Sequence, residues 1–314
     1  MNTRHFPGLD SLDIQLMGEL ESDARQTYKD LAAKLGMGRS AVTSRVQRLL
    51  DNNVIRIFCW ADPVALRYKL IVSFAISTQP GRIRDVADRL AACAQVLHVH
   101  LCTGHFDIAA WALFRDSESL EDFISNELGS MSGILHVEKT LTLQEVKVSS
   151  RLLTDEKELH YLENSVKDLD DLDLILIKEL QANPRQRAGP LARKLGLYES
   201  TVRRRIQRLV DGHVVRIIAV IDPLVLGYEG SALIGLKCGP DKIREIANAV
   251  ASHKQVQYVS ICIGRYDIET FVIFGKLSDL RHFITVELGS IPGVRDTETA
   301  MNYKVVKTFY QIPV

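Results

Sequence analysis

Two stretches of the chain combine short polar side chains, a glutamine and arginines at the spacing of a helix face. Val42, Val46 and Leu49 recur at helical spacing and are expected to point inward. The opposite face of this stretch carries Arg39, Ser40, Thr43, Ser44, Arg45, Gln47 and Arg48. The matching face of the second stretch carries Ser200, Arg203, Arg204, Arg205, Gln207 and Arg208. Because such side chains bond base edges in the major groove and nearby phosphates, both faces predict contact with double-stranded DNA.

Each polar face lies on the last of three short predicted helices. The first helix is predicted from leucines at every fourth position after Asp10, a residue type that caps helices. The second begins near Leu31 and ends at Gly36. A basic helix alone is usually only a solvated surface. A third helix in this frame is instead typical of a helix-turn-helix, which favours DNA binding.

The whole arrangement occurs twice along the chain. LDSLDIQLMGEL from Leu9 returns as LDDLDLILIKEL from Leu169, and ELGSMSG from Glu127 returns as ELGSIPG from Glu287. Both pairs are offset by 160 residues, so the chain is a duplication of one unit. The charged residues 149–168 between the copies predict a helical or flexible connector.

The second part of each unit alternates strands and helices. After a strand at 54–60, copy one predicts strands near 69–78, 96–103, 106–114 and 134–144 and helices near 82–92 and 118–128. The order βαββαβ is typical of a ferredoxin-like sandwich. We therefore predict an α+β fold with two tandem copies of a winged helix-turn-helix and a ferredoxin-like domain. The domain boundaries predicted are 9–60, 66–148, 169–220 and 226–310, with the connector at 149–168.

The composition excludes several classes of protein but hides a local charge imbalance. The 314 residues carry 39 basic and 39 acidic side chains, and 46% are hydrophobic, which excludes disorder and collagen. Residues 25–48 hold six basic residues and one acid, and residues 185–208 hold eight and one. The zero net charge is therefore an average of two basic heads and an acidic remainder, which is compatible with nucleic acid.

The cysteines and the apolar runs indicate where the protein works. The five cysteines contain no C-x-x-C pair, which suggests reduced thiols and a cytoplasmic location. Met1–Gly8 holds no apolar segment of a secretory signal, and no apolar run approaches the roughly 20 residues of a membrane helix. We expect no membrane partner.

The repeated motifs resemble the leucine-responsive/asparagine-operon (Lrp/AsnC) regulator family. They are LDxxD, LAxKLG, SxVxxRxQRL, Asp-Pro, GHFDI or GRYDI, and ELGSxxG, and they cover most of residues 9–148 and 169–308. The resemblance implies a transcriptional regulator rather than an enzyme. It would bind DNA, assemble into homo-oligomers through its second domain, and respond to an amino acid or similar effector without any other cofactor. Pairing of the ligand domains within one chain or between chains stays open.

The resemblance also implies an effector site near the glycine turn between the second and third strands. The residues carried over are Gly104, His105, Phe106 and Asp107 in copy one, and Gly264, Arg265, Tyr266, Asp267, Thr297 and Thr299 in copy two. Copy one has Val137 and Lys139 in place of the two threonines. Copy two is therefore expected to hold the pocket. The alternative is that the glycines and aspartates only form a tight turn.

Two features depart from the family pattern. The serine usual before the third helix is replaced by Gly38 and Tyr198, and the chain carries two units instead of one. Because Arg204 stands where copy one has Ser44, the two heads need not recognise the same sequence. We hypothesise that the fusion suits an asymmetric operator.

Two other functions are compatible with the same residues. Sirohaem decarboxylases resemble this fold, and some are fusions of two units. A metal-sensing regulator is suggested by His98, His100 and Cys102, which share one face of a predicted strand, with His105 nearby. This mixed face is also explained by packing against a partner sheet.

Overall fold

The computed structural model describes residues 8–154, 168–308 and 311–314, and it contains two helical heads. The first head consists of α1 (Ser11–Ser22), α2 (Tyr28–Leu35) and α3 (Arg39–Asp51). The second consists of α6 (Asp171–Ala182), α7 (Ala188–Leu195) and α8 (Glu199–Asp211). α1 begins after Asp10, whose carboxylate accepts a hydrogen bond from the backbone N–H of Asp13 at 2.9 Å. The predicted three-helix order is confirmed in both copies.

The core of each head is completed by a strand from the other copy. β1 (Ile55–Ala61) pairs antiparallel with β6 (Val215–Ile221), from Ile55 opposite Ile221 to Ala61 opposite Val215. Ala219 and Ile221 lie in the buried cluster of the first head, and Cys59 lies in that of the second. Separation of β1 from β6 would therefore expose apolar core surface in both heads.

Each unit continues into a βαββαβ domain, as predicted. Copy one contains β2 (Leu70–Thr78), α4 (Ile83–Ala92), β3 (Val96–Thr103), β4 (Ile108–Phe114), α5 (Ser117–Asp122) and β5 (Ile134–Val148). Copy two contains β7 (Gly230–Cys238), α9 (Ile243–Ala251), β8 (Val256–Ile263), β9 (Ile268–Phe274), α10 (Leu277–His282) and β10 (Val294–Thr308). A π-helical turn extends each last helix, Phe123–Leu128 in copy one and Phe283–Leu288 in copy two.

The two ligand domains pair with each other within the chain. β5 and β10 are 15 residues long, and the first part of each pairs with its own domain, at β2 and β7. Their second parts cross to the other copy, where β5 pairs with β8 and β10 with β3. The strands thereby close in the order β10-β3-β4-β2-β5-β8-β9-β7. The strand predicted at 134–144 is longer because its later partners belong to the other copy.

The two faces of β3 separate as their side-chain types predict. Val99 and Leu101 belong to the cluster that packs against α4. His100 and Cys102 face the other way, into the space between the sheets, where both are buried. The mixed face is therefore covered by the second copy of the same chain.

Two predicted ranges extend past the described residues. The connector is described only at 149–154 and at 168, and residues 309–310 of the last domain also lie outside. The backbone N–H groups of Leu152 and Leu153 donate to the Glu21 carboxylate at 2.7 and 2.9 Å, which ties the start of the connector to α1. Among the residues described, no helix has both the length and the apolar character needed to cross a bilayer.

Candidate functional site

The polar faces of α3 and α8 point away from the heads. Val42, Val46 and Leu49 are fully buried, so the opposite side of α3 is free of core packing. Arg39, Ser40, Thr43, Ser44, Gln47 and Arg48 line one shallow, open depression there. On α8, Ser200, Arg203, Arg204, Gln207 and Arg208 are likewise exposed, and Arg45 and Arg205 are partly covered. The predicted DNA-contacting side chains thus lie together on each outer face.

A buried carboxylate joins each outer helix to the first helix of its head. Asp13 is 0% exposed, and its oxygens lie 2.8 Å from Arg45 Nη1 and 2.5 Å from Arg48 Nη2. Asp173 pairs with Arg205 and Arg208 in the same way. Charge-assisted bonds of this kind set the position of the helix that carries the arginines.

The ion pairs of these arginines were not predicted, although the aspartate that binds them belongs to the LDxxD motif. The second aspartate of the motif closes the capping box of α1 and also receives the arginines. Hydrogen bonds to Asp13 and Asp10 raise the pKa of Arg45. The bond from the backbone of Asp13, with that from Arg45, lowers the pKa of Asp10. Both shifts favour the charged forms of Arg45 and Asp10, whose ion pair helps to keep the helix in place.

The two heads also touch each other directly. The Arg185 guanidinium lies 4.7 Å from the centroid of the Tyr28 ring. Arg185 Nη2 also donates to the carbonyl oxygen of Gln26 at 2.8 Å. With the pairing of β1 and β6, this contact sets the spacing between α3 and α8.

The glycine turns of the ligand domains meet the last strand of the opposite copy. Gly264 has a φ of +155°, and a Cβ there would lie 2.8 Å from Thr140 Oγ1 and 3.0 Å from the Lys139 carbonyl oxygen. Asp107 accepts from the backbone N–H of Thr78 at 2.7 Å. Asp267 accepts from the backbone N–H of Cys238 at 2.8 Å. These groups build the turn and its contact with the other copy, as the turn-forming alternative expects.

A cavity of about 40 Å³ lies between the two sheets beside the turn of copy two. Three of the predicted effector residues, Phe106, Arg265 and Tyr266, line it. The others, Gly104, His105, Asp107, Gly264, Asp267, Thr297 and Thr299, lie outside its lining. The polar lining that sequence reasoning missed consists of Ser73, Glu138, Thr140, Glu269, Thr270 and Glu298.

Arg265 links carboxylates of both copies at this cavity. Its Nη1 lies 3.0 Å from Glu138 Oε1, and its Nη2 lies 2.8 Å from Glu298 Oε2. His105 Nε2 approaches the same oxygen of Glu138 at 3.2 Å. The hydrogen bond to Glu298 raises the pKa of Arg265. Burial by itself would raise the pKa of Glu298, but the hydrogen bond from Arg265 and further interactions together outweigh this effect, and the pKa is lowered.

Glu269 makes the cavity asymmetric. Ser73 Oγ donates to Glu269 Oε2 at 2.7 Å, across the boundary between the copies. Burial raises the pKa of Glu269 to about 7. The equivalent position of copy one is Ala109, which also lines the cavity. Comparison of the two repeats shows that Glu269 replaces an alanine, but it does not show that Ser73 of the other copy is its partner.

The histidines of β3 pack as neutral aromatic side chains. The His100 ring lies 5.6 Å from that of Trp111 and 5.5 Å from that of Phe271. Burial lowers the pKa of His98 to about 4 and that of His100 to about 3. Within residues 8–154, 168–308 and 311–314, no three His, Cys, Asp or Glu side chains come together as a metal site. The geometry gives the metal-sensing alternative no support.

The heads and the paired sheets define a tandem helix-turn-helix protein with two ligand-domain folds. The family model of the Lrp/AsnC ligand binding domain matches residues 71–152 and 231–312. That of the AsnC-type helix-turn-helix domain matches residues 9–50 and 169–210. The chain belongs to the Lrp/AsnC family and contains both of its domains twice.

Similar proteins include transcriptional regulators that match part of this chain and an enzyme structure that matches most of it. An uncharacterised HTH-type transcriptional regulator of Pyrococcus furiosus is 36% identical over 143 residues, 45% of this chain and 97% of the relative. The HTH-type transcriptional regulator LrpA of Pyrococcus horikoshii is 31% identical over 140 residues, 44% of this chain and 99% of the relative. The crystal structure of the sirohaem decarboxylase NirDL superposes with a TM-score of 0.66 at 15% identity, covering 95% of this chain and 93% of the other. This last likeness is one of fold.

Proposed function

We propose that this protein is a transcriptional regulator that binds double-stranded DNA through α3 and α8 and responds to a small effector held between its ligand domains. The observation that carries the proposal is the pair of exposed polar faces, each positioned by a buried aspartate. The local excess of basic residues in both heads supports it, because phosphate contacts supply most non-specific affinity for DNA. A cytoplasmic location accords with this role and with five free cysteines.

The effector site in this proposal is the cavity beside Arg265. Glu138 and Glu298 come from equivalent positions of the two copies, and the Arg265 cation bridges them. The Oε2 atom of Glu138 is buried without a hydrogen-bond partner among the described residues. A small molecule with an ammonium group, such as an amino acid, could displace Arg265 and bond these carboxylates. Its binding would alter the contact between the copies and, through β1 and β6, the heads.

The first test measures DNA binding by fluorescence anisotropy. The probe is the DNA upstream of the protein's own coding sequence, titrated at several salt concentrations. The logarithm of the affinity should fall linearly with the logarithm of salt, with a slope of about −0.9 for each phosphate neutralised. Binding that does not depend on salt would refute contact with phosphates by the basic heads.

The second test concerns the effector. A panel of amino acids should raise the melting temperature of the wild-type protein, because a ligand that binds the folded state stabilises it. Glu138→Gln and Glu298→Gln should weaken this shift, whereas Asp122→Asn, at an exposed position that does not line the cavity, should retain it. An unchanged response in both glutamine variants would place the effector elsewhere.

We also propose that the chain is not a sirohaem decarboxylase, despite the shared fold. A cavity of about 40 Å³ is far smaller than the pockets of roughly 300–1,000 Å³ that drug-sized ligands occupy, and even an amino acid gains room there only by displacing Arg265. A tetrapyrrole would have to separate the two sheets. Addition of sirohaem should produce neither an absorbance change nor a decarboxylated product.

Self-association through the ligand domains is part of the proposal. Leu143, Tyr303 and Val305 are 58%, 47% and 51% exposed on the long last strands, and large apolar side chains of this kind are enriched where copies meet. Light scattering coupled to size exclusion should give a mass above the 35.3 kDa of one chain. A mass equal to one chain at all concentrations would refute this part.

A further inference from the structure

The two DNA-facing helices of one chain differ in their N-terminal halves. Glu199 of α8 stands where α3 has Arg39, and Arg203 and Arg204 stand where α3 has Thr43 and Ser44. The C-terminal halves match, since Gln47 and Gln207 both donate to an aspartate one turn onward at 2.7 Å. Any difference in sequence recognition must therefore come from the N-terminal halves.

The arginines of the C-terminal halves are engaged in the same way in both heads. Arg45 and Arg205 lie 2.8 and 2.9 Å from the buried aspartates. Because each bond joins the same two helices, these arginines present the same chemistry to DNA in either copy. They cannot distinguish the two halves of a binding site.

The N-terminal half of α8 leaves one arginine unengaged. Glu199 forms an ion pair with Arg203 one turn later, which partly neutralises Arg203 and holds it along the helix. Arg204 forms no ion pair with any described residue and is exposed. Its planar guanidinium can bond the O6 and N7 atoms of guanine at once, the most frequent specific contact of arginine in the major groove.

The N-terminal half of α3 offers different chemistry. Thr43 Oγ1 donates to the carbonyl oxygen of Arg39 at 2.9 Å, so its hydroxyl is used within the helix. A threonine methyl group suits the methyl of thymine, and Ser44 is too short for the bidentate contact that arginine makes. Arg39 is the first residue of α3, where a cation reaches the phosphates beside the groove.

We propose that the two heads of one chain read two unlike half-sites of a single operator, with Arg204 selecting a guanine in the half-site under α8 and no guanine required at the equivalent position under α3. The inference rests on the proposed function, since it needs DNA binding. The pairing of β1 with β6 and the contact of Arg185 with Tyr28 hold the heads together, so both half-sites must lie on one DNA at a set spacing. The protein therefore has one preferred direction along its operator.

The experiment is selection of binding sequences from a random duplex library, using the full chain and an exchange of side chains. Wild-type protein should select two unlike half-sites. Arg204→Ser should lose the preference for guanine in one half by about 10- to 100-fold in affinity, and Ser44→Arg should gain a guanine in the other half. The double variant should reverse the direction of the selected motif. Because both positions are exposed on helices, the folded state should be retained, which circular dichroism checks.

Arg203→Thr is the matched control, because Arg203 is held by Glu199. It should lower affinity for all sequences alike. A symmetric motif from the wild-type protein, or a uniform loss of affinity in Arg204→Ser, would overturn the inference while leaving DNA binding intact. Absence of salt-dependent binding to any duplex would instead overturn the proposed function, and this inference with it.

Discussion

Asp13→Asn tests whether the buried carboxylate holds α3 in place. The substitution keeps the size of the side chain but removes the charge that Arg45 and Arg48 contact at 2.8 and 2.5 Å. Removing one partner of a fully buried ion pair costs roughly 3–5 kcal/mol. Here the arginine side chains are 25% and 41% exposed and can regain water. We therefore expect the free energy of unfolding to fall by about 2–3 kcal/mol.

The assay is urea denaturation followed by far-ultraviolet circular dichroism, since the heads supply much of the helix. The midpoint should move to lower urea at an unchanged slope, because the surface exposed on unfolding stays the same. Asp173→Asn should have an equal effect, since its geometry repeats that of Asp13. DNA affinity should fall in both variants because the helix that we propose contacts DNA loses its position.

Asp10→Asn is the control. Asp10 is half exposed and contacts the same Arg45 at 2.8 Å, and asparagine caps a helix as well as aspartate does. Its substitution should leave the midpoint nearly unchanged. If Asp13→Asn and Asp10→Asn shift the midpoint equally, burial of the carboxylate does not stabilise the head and the reasoning is wrong.

Three further outcomes are expected. Gly264→Ala should destabilise the paired ligand domains by more than Gly104→Ala, since its Cβ would lie 2.8 Å from Thr140 Oγ1 whereas at Gly104 the nearest atom is 3.4 Å away; melting temperatures compare the two. Burial raises the pKa of Glu269 to about 7, so the folded chain keeps this carboxyl proton at pH values where the unfolded chain has already released it. The free energy of unfolding should therefore fall as the pH rises from the ordinary pKa of a glutamate toward 7. Glu269→Gln should remove this loss in melting curves between pH 5 and pH 8, and a loss that persists would contradict the assignment. In the native protein, iodoacetamide should label Cys93 before the other cysteines, because the rest are buried; mass spectrometry of the peptides measures this, and early labelling of Cys59, whose pKa burial raises to about 12, would be contrary.

The elements of this protein could be predicted because their residues are periodic. The inward stripe of Val42, Val46 and Leu49 is fully buried as expected, since helical spacing alone decides which side of α3 is apolar. The split of Val99 and Leu101 from His100 and Cys102 follows in the same way from the alternation of a strand. Neither depends on knowing what lies opposite.

The candidate site could be predicted only in part. The polar faces of α3 and α8 lie where the helical wheel puts them, but the engagement of Arg45 by Asp13 joins residues 32 positions apart. Three of the effector residues implied by the family, Phe106, Arg265 and Tyr266, line the cavity. The contact between Ser73 and Glu269 in the same cavity was not predicted, because the two residues are 196 positions apart in the sequence. Such contacts arise from the way sheets and helices close on each other, which local spacing does not contain.

The sequence by itself determined the duplication, the two basic heads, the order of helices and strands, and the side of each element that is buried. These properties follow from residue type and spacing within short segments. Only the tertiary structure decided that the ligand domains pair within one chain, that β1 and β6 join the heads, and that a buried aspartate orients α3 and another orients α8. Those outcomes depend on which surfaces from distant parts of the chain fit together, because their contacts form only when the chain has folded.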